Sequence, residues 1–104
     1  MMQIRYINEL TANGNEVHEL ILSGHAAYDD TGKDIVCSAV SALLLTLAEM
    51  LGTDTAIEED IQEGEAMVRC KCSPDDIFLK TCFKFAVTGL EMLAEEYPDN
   101  IIVN

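Results

Sequence analysis

Basic side chains are scarce in this sequence. Six lysines and arginines stand against 19 aspartates and glutamates, which gives a formal net charge of −13. Affinity for phosphate backbones depends on lysine and arginine displacing counterions, so no direct binding to nucleic acid is expected. The same negative field attracts basic proteins and peptides, and ribosomal proteins are among the most abundant basic proteins in a cell. The charge therefore favours a basic protein partner.

Long hydrophobic runs are also missing. No stretch reaches the roughly 18 apolar residues of a membrane-spanning helix, so no membrane partner is expected. Residues 1–6 show no charged segment leading into an apolar one, so no secretory signal is expected. These absences predict a cytoplasmic protein, in which cysteines remain free thiols. The four cysteines are Cys37, Cys70, Cys72 and Cys82.

Linkers, low-complexity segments and convincing repeats are absent as well. The chain has 104 residues, of which 49% are hydrophobic and 24% charged, as in an ordinary globular domain. A chain of this length can bury one modest core. We therefore expect one domain over residues 1–104.

Two hairpins are predicted from alternating polar and apolar residues. Residues 3–7 and 17–22 flank an Asn-Gly-Asn turn, and residues 55–62 and 65–72 flank Glu63-Gly64. In the last of these segments the alternation points Ala66, Val68, Cys70 and Cys72 inward. The acidic residues 58–60, Glu63 and Glu65 are interpreted as a solvated hairpin tip that could attract a basic substrate. His18 lies in an imperfectly alternating strand and is assigned to the surface or a sheet edge.

Two helices are predicted, one after each hairpin. Residues 35–51 are almost entirely apolar or small, with Asp34 as N-cap and Gly52 as terminator. A helix that is apolar nearly all round needs cover on more than one side, which favours a dimer. The second helix is expected to begin at Ser73 as N-cap, followed by Pro74. Its predicted core stripe comprises Ile77, Phe78, Thr81, Cys82, Phe85, Ala86, Leu90 and Leu93.

A last short strand is predicted at residues 101–103. The elements then follow the order ββαββαβ. This order predicts an α+β fold with a small, mostly antiparallel sheet and two helices.

One histidine and one cysteine lie at the two ends of the same loop. His25 follows the first hairpin, and Cys37 is the third residue of the first helix, where the unpaired N–H groups and the helix dipole favour an anion. The pair could act as nucleophile and base. Cys37 could equally be a small buried core residue, with His25 structural. A zinc site of His25, Cys37, Cys70 and Cys72 is a weaker alternative because the ligand spacing is poor.

Three segments of the sequence resemble the ribosomal-processing cysteine protease family, called Prp. They are Ser23-Gly24-His25-Ala26, the run from Gly32 through Asp34-Ile35-Val36-Cys37 to Ser41, and the ending from Gly89-Leu90 to Tyr97-Pro98-Asp99-Asn100. The resemblance covers nearly the whole chain. Its most specific part is Gly-His-Ala followed, after a short loop, by Gly-x-Asp-Ile-Val-Cys.

The resemblance implies a cytoplasmic bacterial homodimer. Family members remove a short N-terminal extension from a large-subunit ribosomal protein, and they cut after an aromatic residue. Carried over to this sequence, Cys37 is the nucleophile and His25 the general base, while Asp34 orients or caps the site. No cofactor and no metal are expected.

The residues themselves suggest how such a site would work. Backbone N–H groups around Cys37 and Ser38 are expected to form an oxyanion hole. The loop between His25 and Cys37 is expected to move, so that the two side chains are out of hydrogen-bond distance until a peptide orders the loop. The alternative function is a non-catalytic acidic module that binds a ribosomal protein or the assembling ribosome.

Overall fold

The computed structural model describes residues 1–30, 32–52 and 57–104, and at Ile57 the backbone only. The elements follow the predicted order ββαββαβ. They are β1 Met2–Leu10, β2 Glu16–Ser23, α1 Ile35–Leu51, β3 Ile57–Gln62, β4 Glu65–Cys72, α2 Ile77–Glu96 and β5 Ile101–Val103. The predicted start of the third strand, at residues 55 and 56, falls outside the described residues.

The five strands form one mixed sheet in the order β3-β4-β2-β1-β5. β5 runs parallel to β1, and the other neighbouring pairs are antiparallel. β2 is therefore an interior strand, and its His18 is only 2% exposed. The prediction that His18 lies at the surface or a sheet edge is wrong, because both edges of β2 are covered by β1 and β4.

Helix α1 begins and ends where the sequence predicts. Asp34 is the N-cap, and the N–H of Gly52 closes the last turn with a bond to the carbonyl of Ala48. One face is buried in the core and comprises Val36, Val40, Leu44, Leu47, Ala48 and Leu51. On the other side Ile35, Leu45 and Met50 are 57%, 54% and 51% exposed in the single chain. The single chain thus exposes apolar side chains on this side of α1, as the sequence predicts for a helix that needs a further packing partner.

Helix α2 begins three residues later than predicted. The N-cap is Asp76, whose carboxylate accepts the N–H of Leu79 at 3.1 Å. Ser73 instead starts a turn, in which its carbonyl accepts the N–H of Asp76 at 3.0 Å and its hydroxyl accepts that of Asp75. The prediction of Ser73 as N-cap is wrong because this turn precedes the helix and Asp76 supplies a second capping side chain.

The core-facing side of α2 also differs from the predicted stripe. Phe83, Ala86 and Leu90 are buried, and Cys82 and Leu93 pack partly buried against the core. Ile77, Phe78 and Phe85 are 74%, 55% and 70% exposed, and Thr81 is also exposed, although all four were predicted to lie inside. The helix carries apolar residues on two sides, and the side with Phe83 faces the strands.

Both helices lie on one face of the sheet. Leu20 and Leu22 of β2 and Val68, Cys70 and Cys72 of β4 share a buried core with the two helices. The predicted inward alternation along β4 is therefore confirmed. The acidic residues of the second hairpin, Glu58, Glu59, Asp60, Glu63 and Glu65, are exposed as predicted. In the described ranges neither helix combines the length and the apolar character needed to span a bilayer.

Candidate active site

The loop between β2 and α1 is fastened to the carboxylate of Asp34. One carboxylate oxygen accepts the N–H groups of Tyr28 at 2.9 Å and Asp29 at 3.3 Å, and the other accepts the N–H of Cys37 at 2.9 Å. Burial raises the pKa of Asp34, but these bonds to the ionised form outweigh it and leave the pKa below its ordinary value. Asp34 is therefore a charged, almost fully buried junction between loop and helix.

Cys37 is the third residue of α1 and is half-buried. Its N–H completes the N-cap, and its thiol is close enough to the Asp34 carboxylate to contribute to the lowered pKa of that group. The thiol thus lies at the positive end of the helix dipole, beside a charged carboxylate. The local sequence explains this placement, because an Asp N-cap reaches the residue three positions later.

His25 follows the end of β2 and rests on the turn of the second hairpin. The N–H of Gly24 donates to the carbonyl of Gly64 at 2.9 Å, which joins the two segments. A Cβ added at Gly64 would lie 2.9 Å from Nε2 of His25. Gly24 itself has φ +87°, and a Cβ there would lie 2.6 Å from the carbonyl oxygen of Met1. Two glycines therefore set the backbone and the ring position of His25.

These side chains meet at one cleft of about 590 Å³. All four residues predicted for the site line it: His25, Asp34, Cys37 and Ser38. Its walls also include apolar side chains of helix α1 and of the sheet. These are Met2, Leu22, Val40, Leu44, Leu45, Ile61 and Ala66. Asp29, Asp30 and Glu63 add negative charge to the lining. The cleft can thus accept an extended segment with an apolar side chain and basic neighbours.

No hydrogen bond joins the His25 ring to Cys37, both of which belong to the described part of the chain. The predicted separation of the two side chains agrees with this arrangement. The ordering of the loop by a bound peptide stays a prediction.

The predicted oxyanion hole does not match the hydrogen bonds of the first helical turn. The N–H of Cys37 donates to the Asp34 carboxylate, and the N–H of Ser38 donates to the Asp34 carbonyl at 3.1 Å. The hydroxyl of Ser38 also donates to that carbonyl, at 3.1 Å. These donors are occupied because the N-cap uses them to begin the helix. An oxyanion would have to displace an existing acceptor to use them.

The alternative zinc site is not assembled. Cys70 and Cys72 are buried on the helix-facing side of β4, whereas His25 and Cys37 line the cleft. In the register of the sheet, Cys70 pairs with His18 and Cys72 with Glu16, at the end of β2 farthest from His25. The four proposed ligands are therefore divided between two places.

Two contacts that hold the His25 loop were missed at the level of sequence. The side-chain amide of Asn100 donates to the carbonyl of Ala26 at 2.8 Å. The rings of Tyr28 and Tyr97 meet edge to face, with 5.3 Å between their centroids. Asn100 and Tyr97 lie in the C-terminal motif quoted above, but only the fold shows that this motif supports the loop.

Comparison with known proteins places the chain among cysteine proteases. A family model described as "Cysteine protease Prp" matches residues 1–102. The ribosomal processing cysteine protease Prp of Mycoplasma genitalium is 26% identical over 87 residues, covering 82% of this chain and 85% of that protein. The protein of the same name from Staphylococcus aureus is 29% identical over 104 residues, covering 92% and 94%.

The same fold occurs in a crystal structure of the essential ribosomal processing protease Prp from S. aureus, in complex with a covalently linked product peptide. The TM-score is 0.79 and the sequence identity 21%, and the match covers 100% of this chain and 98% of that one. The predicted architecture is therefore that of a solved protease.

Proposed function

Because this chain belongs to the Prp family of cysteine proteases, we propose that it removes the N-terminal extension of a large-subunit ribosomal protein. The observation that carries the proposal is the meeting of His25 and Cys37 at one cleft, with Cys37 at the first turn of a helix. The names of the curated relatives support the ribosomal substrate. Cys37 is assigned as nucleophile and His25 as general base.

The chemistry follows from these two assignments. His25 takes the proton of the Cys37 thiol, and the thiolate attacks the scissile carbonyl to form a tetrahedral intermediate. His25 then returns the proton to the leaving amine as the peptide C–N bond breaks. Water, deprotonated by His25, releases the acyl group from Cys37 as a carboxylate. Because no hydrogen bond joins the Cys37 thiol to the His25 ring at rest, the first step requires these two side chains to approach each other.

The lining of the cleft supports a basic peptide with an aromatic residue before the scissile bond. Leu22, Leu44 and Ala66 offer an apolar wall, on which an aromatic ring would lose its hydration. Asp30 and Glu63 lie at the same cleft and favour lysine or arginine in the peptide. The net charge of −13 speeds the encounter with a basic ribosomal protein.

The proposal is tested with a peptide that spans the extension and its aromatic cleavage point. We expect Cys37→Ala, Cys37→Ser and His25→Ala each to lower kcat/KM roughly a thousandfold or more. The nucleophile and the base act as one unit, so the loss of either residue disables both. Cys82→Ser is the matched control, because Cys82 is another partly buried thiol but does not line the cleft. Cleavage that survives both Cys37 substitutions would refute the protease assignment and leave the non-catalytic acidic module.

We propose further that the chain forms a homodimer through α2. Phe78, Phe85 and Met92 are 55%, 70% and 65% exposed and follow one another at intervals of seven residues. Residues seven apart lie on the same face of a helix, so these side chains form one apolar stripe, defined here as the α2 stripe. An apolar helix face left in water favours association, and a second copy offers the same stripe.

A cytoplasmic location is also proposed. Ribosomal proteins are made and assembled in that compartment. None of the four cysteines, all of which lie in the described ranges, forms a disulfide, as a reducing compartment favours.

A further inference from the structure

A second cluster of reactive side chains lies at the end of the sheet away from the cleft. Glu16 and His18 are two residues apart on β2 and point to the same face, and Cys72 of β4 is directly opposite Glu16 in the register. One ligand atom from each residue lies within 4.8 Å of the others. Cys72 is 7% and His18 2% exposed. The fold thus brings a carboxylate, an imidazole and a thiol together beneath α2.

The polar atoms at the centre of this cluster lack hydrogen bonds. Nε2 of His18 is buried and has no hydrogen-bond partner in the described part of the chain, and the buried Glu16 oxygen beside it forms an ion pair with Lys80 but no hydrogen bond. They lie 3.9 Å from each other. The other ring nitrogen of His18 is held by the Tyr6 hydroxyl at 2.6 Å. A buried imidazole nitrogen without a partner is costly unless something else binds it.

We propose that Glu16, His18 and Cys72 form a binding site for a divalent cation of the zinc class. Thiolate sulfur, imidazole nitrogen and carboxylate oxygen are the donor types that zinc takes in proteins, and three of them leave a fourth position for water. Nδ1 of His18 would donate to the Tyr6 hydroxyl, an outer partner of the kind that orients metal-bound histidines. A cleft of about 270 Å³, lined by His18, Ile77, Thr81 and the lysines Lys80 and Lys84, reaches the His18 side of this cluster.

Two changes accompany occupation of this site. Burial raises the pKa of the Cys72 thiol, against the lowering effect of a side-chain hydrogen bond with Cys70, so a bound metal must displace the thiol proton to solvent. The ammonium group of Lys80, 3.3 Å from the Glu16 carboxylate, must move aside. Lys80 already donates to the carbonyl of Pro74 at 3.1 Å, so it keeps a partner when it leaves. No oxidation or reduction is involved.

The site is distant from the proposed peptidase chemistry. β2 starts at Glu16 and ends at Ser23, and His25 follows seven residues after His18. At about 3.3 Å per residue of strand, that separation is roughly 20 Å. The cation would therefore link β2 and β4 beneath α2 and stabilise the fold, without taking part in peptide cleavage.

Titration with Co²⁺, followed by displacement with Zn²⁺, tests the proposal. We expect one equivalent to bind per chain, with a thiolate-to-cobalt charge-transfer band and release of a proton. Cys72→Ser should abolish the band, whereas Cys37→Ser and Cys82→Ser should keep it. Glu16→Gln alters the partly exposed ligand and should weaken binding at least tenfold without loss of the fold. A band that disappears in Cys37→Ser but persists in Cys72→Ser would place the metal at the cleft and overturn the proposal.

A variant that is expected to bind the metal more tightly is also needed, because a loss of binding can result from damage to the fold and a gain cannot. Lys80→Met removes the competing ammonium group and should tighten Co²⁺ binding severalfold, because Glu16 then loses its ion pair with Lys80. Zn²⁺ should raise the urea midpoint of the wild type, and raise it more in Lys80→Met. No cobalt band in the wild type, or equal affinity in Lys80→Met, would refute the site.

Discussion

Replacing Asp34 with alanine removes the acceptor of three backbone N–H groups at once. The carboxylate accepts N–H groups from Tyr28, Asp29 and Cys37. An N-cap is worth about 1 kcal/mol, and each further N–H left without a partner costs about 1 kcal/mol when partly shielded from water. We therefore expect Asp34→Ala to lower the free energy of unfolding by about 2 to 3 kcal/mol.

Asp76→Ala is the matched control for this prediction. Asp76 is the N-cap of α2 and accepts one backbone N–H, that of Leu79 at 3.1 Å. Its replacement should cost only the capping contribution of about 1 kcal/mol. Urea unfolding followed by circular dichroism, at one protein concentration, compares the two variants with the wild type. If Asp34→Ala costs no more than Asp76→Ala, the loop is not held by the Asp34 carboxylate.

The contribution of Asp34 to the free energy of unfolding is also expected to depend on pH. The folded chain holds the pKa of Asp34 below its ordinary value of about 4, so between the two values the unfolded chain binds the proton and the folded chain does not. The contribution of Asp34 is therefore fully present above about pH 5 and is lost as the pH falls through the folded pKa. The stability gap between wild type and Asp34→Ala should shrink in acid. A gap of the same size at about pH 7 and about pH 3 would contradict this reasoning.

Three further predictions concern the loop, the turn and the dimer. Gly64→Ala should lower kcat/KM about tenfold or more by displacing the imidazole, whereas Gly14→Ala, with a similar φ (+82° against +79°) but open space around it, should lower only stability. Peptide cleavage and urea unfolding measured together distinguish the two. Phe85→Glu should weaken self-association at least tenfold in sedimentation equilibrium; an unchanged dimer would exclude the α2 stripe. Asn100→Ala removes the bond to the Ala26 carbonyl and should cost about 1 kcal/mol in urea unfolding, with a higher KM; an unchanged KM would show that this bond does not position the loop.

Features set by neighbouring residues could be predicted from the sequence. Helix α1 begins and ends where predicted because its two capping residues, Asp34 and Gly52, have no competing cap beside them. The start of α2 was misplaced because Ser73 and Asp76 can each act as an N-cap, and the choice depends on the turn that follows β4. Local chemistry thus defines a helix end only where one capping residue is available.

Features set by the order of strands could not be predicted. His18 was assigned to the surface because no titratable partner lies beside it in a regular pattern. The order β4-β2-β1 buries it between Tyr6 and Phe83, with ring centroids 6.0 Å and 5.4 Å from its own. Gly64 was predicted only as a hairpin turn, although the fold places it against His25. Such pairs are joined by the sheet, and a sequence pattern with a period of two residues carries no information on strand order.

The hydrogen bonds of Asp34 bear on how the proposed nucleophile is activated. At rest the carboxylate accepts N–H groups from the first turn of α1 and from the loop, and its charge lies beside the Cys37 thiol. No hydrogen bond joins His25, the proposed base, to that thiol. We expect a peptide in the cleft to contact both walls and to bring the imidazole to the sulfur while Asp34 keeps its bonds to the backbone. On this reasoning Asp34 preserves the shape of the site, and the substrate supplies the step that turns a resting thiol into a nucleophile.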